Sequence, residues 1–300
     1  LAAEALKSWG NEAQKQHYIR AALQGDVIIA LGYSEPDSGS DMAAAKTTAT
    51  RDGDDWVIEG QKMFTSSAQV ASHIFVLART DPSAPKHEGL TLFMVPTDSP
   101  GYSCHPIHCL GGQLTSATYY ADVGVPDDAR VGDVNAGSKV MRVALVFERG
   151  VDSPASLEDH LGADILEWAG TATRPDGTAV IDDPLVASRI GRILIDEEVS
   201  RLLAHYSNWK AATGELSTTD GAFKKLFHGE AEVRNHAIVM DILGADGMLN
   251  SDAPGAPDHG GFEREYRYSA VRTIYGGSSE IMRDIIAQKF LGLPKNRPKT

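Results

Sequence analysis

Residues 45–61 read AKTTATRDGDDWVIEGQ and predict a β-hairpin. The strands Ala45–Arg51 and Trp56–Gln61 flank Asp52 and Gly53, and Asp-Gly suits the positive φ angles of a tight hairpin turn. Four more short runs rich in β-branched and aromatic residues follow it: His73–Thr80, Leu90–Pro96, Tyr102–Ile107 and Ala117–Val125. Because turn residues rather than long helices separate these runs, they predict an antiparallel β-barrel or sandwich.

Helix-forming sequence lies on both sides of this β region. Residues 1–26 are rich in Ala, Glu, Gln, Lys and Leu. After Gly132, apolar residues recur at three- and four-residue spacing over Ser138–Arg149, Pro184–Ala212, Gly221–Leu249 and Ser278–Leu291. The interruptions at 170–183 and 250–261 predict exposed loops, and the helices favour a bundle. The expected architecture is α+β and multi-domain: residues 1–26 end a helical domain, 27–133 form the β-domain and 134–300 form the bundle.

The composition and charge of the chain argue against several classes of function. The 300 residues carry 28 Lys and Arg against 41 Asp and Glu, a net charge of −13, which argues against nucleic-acid binding. No apolar run approaches the roughly 18–20 residues that span a bilayer. Cys104 and Cys109 fit neither a zinc site nor a disulfide framework, so a cytoplasmic location is expected. Because the chain starts at Leu1 without a signal-like segment, we expect it to begin part-way through a longer protein.

Three polar segments are candidate binding loops. Residues 32–41, GYSEPDSGSD, follow an apolar strand and offer hydroxyl and N–H groups to a ligand, although a capped surface turn has the same composition. Residues 61–67, QKMFTSS, end a strand in a hydroxyl cluster. Residues 275–280, YGGSSE, lead into a helix, and such an N-terminus serves either as a phosphate site or as an ordinary cap.

Glu148 is the candidate general base. On a helical wheel it lies beside the apolar stripe formed by Val140, Val143, Ala144 and Phe147, with Arg142 and Arg149 on the polar side. A carboxyl group among apolar neighbours has a raised pKa, because desolvation penalises its charged form. A catalytic base needs that environment, although a structural ion pair at the stripe edge would have the same spacing.

The other polar residues carry weaker signals. No spacing among the histidines matches a metal site. Arg264, Arg267 and Arg272 are interpreted as a solvated helix face, with contact to an anion as the alternative.

In this order and spacing, the motifs resemble the acyl-CoA dehydrogenase family across nearly the whole chain. The matching segments are 31–41, 60–67, 122–126 with Gly132, 147–149 and 274–294. The resemblance implies a helical N-terminal domain, of which only a remnant helix is expected here, a central antiparallel β-barrel and a C-terminal four-helix bundle. The ending Ile281–Pro294 is similar to the actinobacterial branch that degrades branched or steroid-derived acyl chains.

The resemblance also implies an activity and its cofactor. The family uses FAD to remove two hydrogens from the α and β carbons of an acyl-CoA thioester, and an electron-transfer flavoprotein or similar acceptor then takes the electrons. The positions implied to bind FAD are Tyr33, Ser34, Ser40, Phe64, Ser66, Ser278 and Glu280. The positions implied to contact the substrate are Ser40, Arg149, Tyr275 and Gly276.

Family members differ in where they carry the catalytic base, and this difference implies its position in the chain. Many members carry it directly after the tyrosine of the last motif, where this chain has Gly276. Another branch carries a glutamate before an arginine on the first bundle helix, and this chain has Glu148 and Arg149 there. The helical wheel and the resemblance therefore select the same residue.

Two segments differ from the family pattern. An Arg-x-x-Phe-Gly motif, which reaches the FAD of a neighbouring subunit, is replaced by residues 171–177, TATRPDG. A Gln-x-x-Gly-Gly segment is replaced by residues 241–245, DILGA. We therefore expect an oligomer, specifically a heteromer in which a related subunit completes the flavin site. The alternatives are an acyl-CoA oxidase and a non-catalytic partner subunit of a heteromeric dehydrogenase.

Overall fold

The computed structural model describes residues 2–151 and 160–295. Leu1, where the predicted N-terminal segment starts, and residues 296–300 of the predicted bundle lie outside these ranges. The chain divides into two compact units, Leu1–Cys109 with Gln113–Phe147, and Leu110–Gly112 with Glu148–Thr300. The predicted domain boundaries at residues 26 and 133 stay predictions.

The first unit is built on an eight-stranded mixed sheet. Its strands are β1 (Ile29–Gly32), β2 (Thr48–Asp52), β3 (Asp55–Lys62), β4 (His73–Arg79), β5 (Leu90–Pro96), β6 (Tyr102–His108), β7 (Leu114–Val125) and β8 (Arg130–Val131). They follow the order β6-β7-β3-β2-β4-β5-β8, and β1 pairs with β4. Most pairs are antiparallel, as predicted, whereas β1 and β2 each pair with β4 in parallel, which the sequence did not indicate.

The predicted hairpin forms with a small shift in its turn. Asp52 pairs with Asp55, so the loop consists of Gly53 and Asp54. Gly53 has a φ of 62°, in the left-handed region that such a turn requires. The hairpin joins β2 to β3.

Strands β4 and β5 supply the cores of the first unit. Alternate residues point to opposite faces of a sheet, and both strands are buried along nearly their whole length. Phe75 and Leu77 pack on one face with α1 (Ala2–Trp9) and α4 (Gly137–Gly150), while Ile74 and Val76 pack on the other with Trp56. Two further helices, α2 (Glu12–Gln14) and α3 (Arg20–Gln24), flank a π-helical turn over Lys15–Ile19.

The second unit is helical. Its helices are α5 (Leu161–Thr171), α6 (Pro184–Ala212), α7 (Thr218–Leu243), α8 (Gly261–Ser269) and α9 (Ser279–Ile285), which continues as a π-helical turn over Ile286–Phe290. One core cluster joins α5, α6, α7 and α8 through Ile165, Ile190, Val239 and Phe262. The prediction placed α6 at its observed bounds but missed α5 and α8. Within the described ranges, none of the helices is long and apolar enough to cross a lipid bilayer.

Candidate active site

Helix α4 positions the candidate base. Val140 and Ala144 are buried and Arg142 is exposed, so the helix has the predicted apolar stripe. Glu148 lies one turn beyond Ala144 and is half-buried. Burial raises the pKa of its carboxyl above the ordinary value, and the charges of Arg149 and Lys225 act in the opposite direction. The predicted direction of the Glu148 pKa is confirmed.

Arg149 does not lie on the polar side, as the helical wheel suggested. It is half-buried, and its Nε donates a hydrogen bond of 2.8 Å to the carbonyl oxygen of Gly276. A helical wheel describes a single isolated helix. In the structure, the turn that precedes α9 packs over the end of α4 that carries Arg149. Arg149 therefore fixes the backbone of that turn beside Glu148.

Gly276 lies directly beside the carboxylate of Glu148. A β-carbon at position 276 would lie 3.7 Å from Oε1 of Glu148 and 3.6 Å from Cε of Lys225. Both are ordinary van der Waals distances, so a side chain at 276 would start in contact with the Glu148 carboxylate. The two sequence positions implied for a family base are thus adjacent in space.

Cations and aromatic rings lie around this position, and of these the resemblance had implied only Tyr275 as a site residue. Lys225 donates a 2.7 Å hydrogen bond to the carbonyl oxygen of Arg272, and its Nζ lies 4.2 Å from the centre of the Tyr275 ring. The Arg272 guanidinium donates to the Tyr275 hydroxyl at 3.1 Å, stacks 4.9 Å from the Tyr268 ring and lies 3.7 Å from Glu232. These contacts join α7 to the segment that precedes α9.

The interpretation of three arginines as one solvated face is wrong for Arg272. Arg264 is exposed on α8, and Arg267 pairs there with Glu263 at 2.6 Å. Arg272 lies beyond α8 in a 3₁₀ turn, where a helical wheel drawn for a single helix no longer applies. Its charge lies near those of Lys225 and Glu232.

In the first unit, the structure brings together two of the predicted FAD-binding segments. The N–H of Met63 donates to the carbonyl of Ser34 at 2.9 Å, so the loop after β1 lies beside the end of β3. Phe64 is 62% exposed with a φ of 58°, a left-handed conformation that is uncommon for a bulky residue. Next to it, Thr65 is buried and its Oγ1 has no hydrogen-bond partner among the described residues.

These features fit a planar, polar-edged ring such as a flavin. An exposed aromatic face, the exposed hydroxyl of Ser66 and the half-buried Ser34 supply stacking and hydrogen-bonding groups. The ring of Tyr33 is buried in the core beside Phe75. Its position leaves the backbone of the loop as the part that can face a ligand.

A buried ion pair holds this loop, and the sequence analysis missed it. Nζ of the fully buried Lys62 lies 2.8 Å from Glu35 and donates to the Tyr33 carbonyl at 3.3 Å. The N–H groups of Lys46 and Thr47 also donate to the Glu35 carboxylate. Burial lowers the pKa of Lys62 to about 8, while Lys62 and the N–H donors keep the pKa of Glu35 below its ordinary value against the opposing effect of burial.

The other predicted FAD contacts are at the surface or at a helix end. Ser40 is exposed in the loop after β1. Ser278 caps α9 by accepting a 3.4 Å hydrogen bond from the Ile281 N–H, and Glu280 is exposed in the first turn of that helix. Within residues 2–151 and 160–295, no group of His, Cys, Asp or Glu side chains is placed to hold a metal ion.

Comparison with known proteins identifies the family. The domain described as acyl-CoA dehydrogenase, middle domain, matches residues 30–122, and the domain described as acyl-CoA dehydrogenase, C-terminal domain, matches residues 135–291. The chain belongs to the acyl-CoA dehydrogenase family, whose members are FAD-dependent oxidoreductases. The resemblance and the fold predicted from it are confirmed.

Individual relatives match almost the whole chain. Acyl-CoA dehydrogenase FadE26 of Mycobacterium tuberculosis is 37% identical over 98% of this chain and 75% of its own length. The mitochondrial short-chain specific acyl-CoA dehydrogenase of Bos taurus is 30% identical over 95% of this chain and 68% of its own. The chain thus spans about three-quarters of the length of the first of these relatives.

Two solved structures show the same fold. The structure titled "Tcur3481-Tcur3483 steroid ACAD G363A variant" has a TM-score of 0.91 at 36% identity and covers 98% of this chain and 76% of that one. The crystal structure of the ChsE4-ChsE5 complex from Mycobacterium tuberculosis has a TM-score of 0.88 at 37% identity, with the same coverage. Both titles name two different proteins.

Proposed function

We propose that the chain is an FAD-dependent acyl-CoA dehydrogenase that forms a trans-2-enoyl-CoA, with Glu148 as the base that removes the α proton. The main observation behind this proposal is that Glu148 and Gly276 are adjacent in space. A β-carbon at Gly276 would lie 3.7 Å from the Glu148 carboxylate, so the carboxylate occupies the space beside the position where many relatives carry their base.

The surroundings of Glu148 suit the removal of a weakly acidic proton. A base works best when its pKa is near the working pH, and burial raises the pKa of Glu148 in that direction. Arg149 holds the Gly276 carbonyl and so keeps the adjacent turn in place. Arg149 and Tyr275 are proposed to orient the thioester next to Glu148.

We propose that the FAD ring is held by the segments around Ser34 and Phe64. Ser66 and the backbone near Tyr33 would supply further contacts, and Ser40 would lie toward the ring or the bound thioester. Ser278 and Glu280, at the start of α9, are proposed to contact the FAD near its pyrophosphate. When bound, FAD supplies the acceptor for the β hydrogen. The exposed Phe64 ring and the unpartnered Thr65 hydroxyl support this assignment.

The proposed substrate is the CoA thioester of a branched or steroid-derived acyl chain. This choice rests on the solved structure titled as a steroid ACAD, which is 36% identical to the chain. An electron-transfer flavoprotein or a similar acceptor is proposed to reoxidise the enzyme. Turnover measured with and without oxygen separates this function from that of an acyl-CoA oxidase.

The decisive variant is Glu148→Gln, which keeps the shape of the side chain and removes the base. We expect FAD to stay bound and the rate of substrate-dependent flavin reduction to fall by roughly 10²–10⁴-fold, the usual contribution of a positioned base. Glu167→Gln, at an exposed glutamate on α5, is the matched control and should keep the wild-type rate. If the assembled protein with Glu148→Gln reduces flavin normally, the base lies elsewhere and the chain supports catalysis by a partner.

A further inference from the structure

Lys225 is a half-buried cation on α7, held beside the proposed base by two neutral partners. Its Nζ donates to the Arg272 carbonyl at 2.7 Å and lies over the Tyr275 ring at 4.2 Å. A β-carbon built at Gly276 would lie 3.6 Å from Cε of Lys225 and 3.7 Å from the Glu148 carboxylate, so both groups border the same point. Neither the carbonyl nor the ring neutralises the ammonium charge.

We propose that Lys225 is a positioning residue for the reaction, a fixed cation that keeps the half-buried Glu148 carboxylate ionised and therefore able to accept the α proton. This inference rests on the proposed function of Glu148. Burial alone favours the neutral carboxyl, and a protonated Glu148 cannot act as a base. A cation fixed close by offsets that tendency.

The other charged groups near Lys225 have their own partners. Arg149 donates to the Gly276 carbonyl, and Arg272 interacts with Glu232, the Tyr268 ring and the Tyr275 hydroxyl. Among the described residues, Lys224 is a further charged neighbour and is buried on the same helix. Burial, Arg272, Lys224 and Arg149 all favour the neutral amine of Lys225, and Glu148 favours its charged form. Lys225 and Glu148 thus stabilise each other's charges.

The pH range of the effect follows from the two pKa values. The pKa of Lys225 is lowered to about 8, so Lys225 carries its positive charge at pH values below about 8. Removing the Lys225 charge removes a group that lowers the pKa of Glu148. The acidic limb of the pH profile must therefore move to higher pH, while activity above that limb is preserved.

The test compares the pH profiles of kcat/KM for Lys225→Met and the wild type. We expect the acidic limb of Lys225→Met to move up by about one pH unit, at the low end of the effect of a nearby opposite charge on a carboxyl pKa. Lys225→Arg should restore the wild-type limb. Lys289→Met, which removes one exposed positive charge from the same unit, should leave the profile unchanged.

A merely structural role gives a different result. If Lys225→Met loses activity equally at every pH, or if its limb stays in place, the inference is overturned. Should Lys225→Met fail to fold, Lys225→Gln replaces it under the same criteria. A second measurement does not depend on turnover. The infrared band of the Glu148 carboxyl is followed as a function of pH, and it is identified as the difference between the spectra of wild type and Glu148→Gln.

Different results would contradict the proposed role of Glu148 and the proposed role of Lys225. Normal flavin reduction by Glu148→Gln contradicts the role of Glu148 and, with it, the role of Lys225 in catalysis. If Glu148→Gln is inactive while the infrared titration of Glu148 is the same with and without the Lys225 charge, only the inference about Lys225 is wrong.

Discussion

Position 276 lies directly beside the proposed base, Glu148. Gly276 has a φ of 63°, and a β-carbon there would lie within van der Waals contact of Glu148. A longer acidic side chain starting at 276 would extend from the same point. At the scale of single residues, the structure therefore predicts that a carboxylate carried by either position reaches the substrate.

This prediction is tested by moving the carboxylate. In the Glu148→Gln background, Gly276→Glu should recover part of the lost rate of flavin reduction, about tenfold or more out of the roughly 10²–10⁴-fold that a base contributes. Recovery stays incomplete because a side chain in the left-handed region costs about 1–2 kcal/mol. Gly276→Gln in the same background is the control and should stay inactive. Equal rates for the two double variants would contradict the shared position.

The sequence pointed to Glu148 as the proposed base but not to the residues around it. Glu148 could be found because its neighbours on α4 repeat with helical spacing, which one helix reveals by itself. Lys225 and Arg272 come from α7 and from a turn more than 40 residues later, and nothing local in the sequence places them beside Glu148. Lys62 did carry a signal, since it is in phase with the buried Trp56 and Ile58 along β3.

At the scale of elements, the ion pair between Glu35 and Lys62 fixes the loop after β1 to β3. Lys62→Met leaves the Glu35 carboxylate buried without its cation, which typically costs about 3–5 kcal/mol. We expect the free energy of unfolding in urea to fall by that amount and FAD to dissociate more readily, because the loop carries Ser34. Lys46→Met, which removes an exposed pair with Asp37 in the same loop, should behave like the wild type. Coincident unfolding curves for Lys62→Met and wild type would show that the pair contributes nothing.

Elements with strong local signals were predicted well. Helix α6 begins after Asp183, which caps it, and has Pro184 in its first turn, so its start was readable from the sequence. Helix α5 was missed because it has glycine at both ends, at Gly162 and Gly170. Helix α8 was missed because it is largely polar and buries few side chains, Phe262 among them. The parallel pairing of β1 with β4 depends on contacts distant in sequence, which no local pattern encodes.

At the scale of the whole molecule, the positions implied for the chain's own flavin differ from those implied for a neighbour's flavin in how well they fit the family pattern. The segments implied to hold its own flavin ring, around Ser34 and Phe64, match the family. In the segment that replaces the arginine motif, Arg174 is bound to Asp183 of the same chain at 2.7 Å. Asp241 is exposed and lies 4.0 Å from Arg189, at the position where the resemblance implies an amide near a neighbour's pyrophosphate. A carboxylate there would repel the pyrophosphate.

Helix α6 also carries an apolar face that the described part of the second unit leaves exposed. Its exposed large apolar residues are Leu185, Leu194, Ile195, Leu202, Tyr206 and Trp209. The last three follow one another at spacings of four and three residues, so they share one side of the helix. Contiguous apolar surface of this kind marks an interface with another protein. The two similar solved structures are each titled with two different proteins.

These observations predict a heteromer. In a homo-oligomer, every flavin site would combine the matching segments of one copy with the altered segments 171–177 and 241–245 of another. A related subunit that retains the arginine motif would instead complete the site of this chain, while this chain could not complete the partner's site. We expect co-expression with such a subunit to give a complex with about half as many FAD molecules as chains, and expression alone to give a flavin-poor protein. Size-exclusion chromatography with flavin absorbance measures both. The prediction would be contradicted by a homo-oligomer of this chain that binds one FAD tightly per copy and is active without a partner. In such an oligomer the altered segments would have to bind a neighbour's flavin, despite Asp241 and although Arg174 is paired within its own chain.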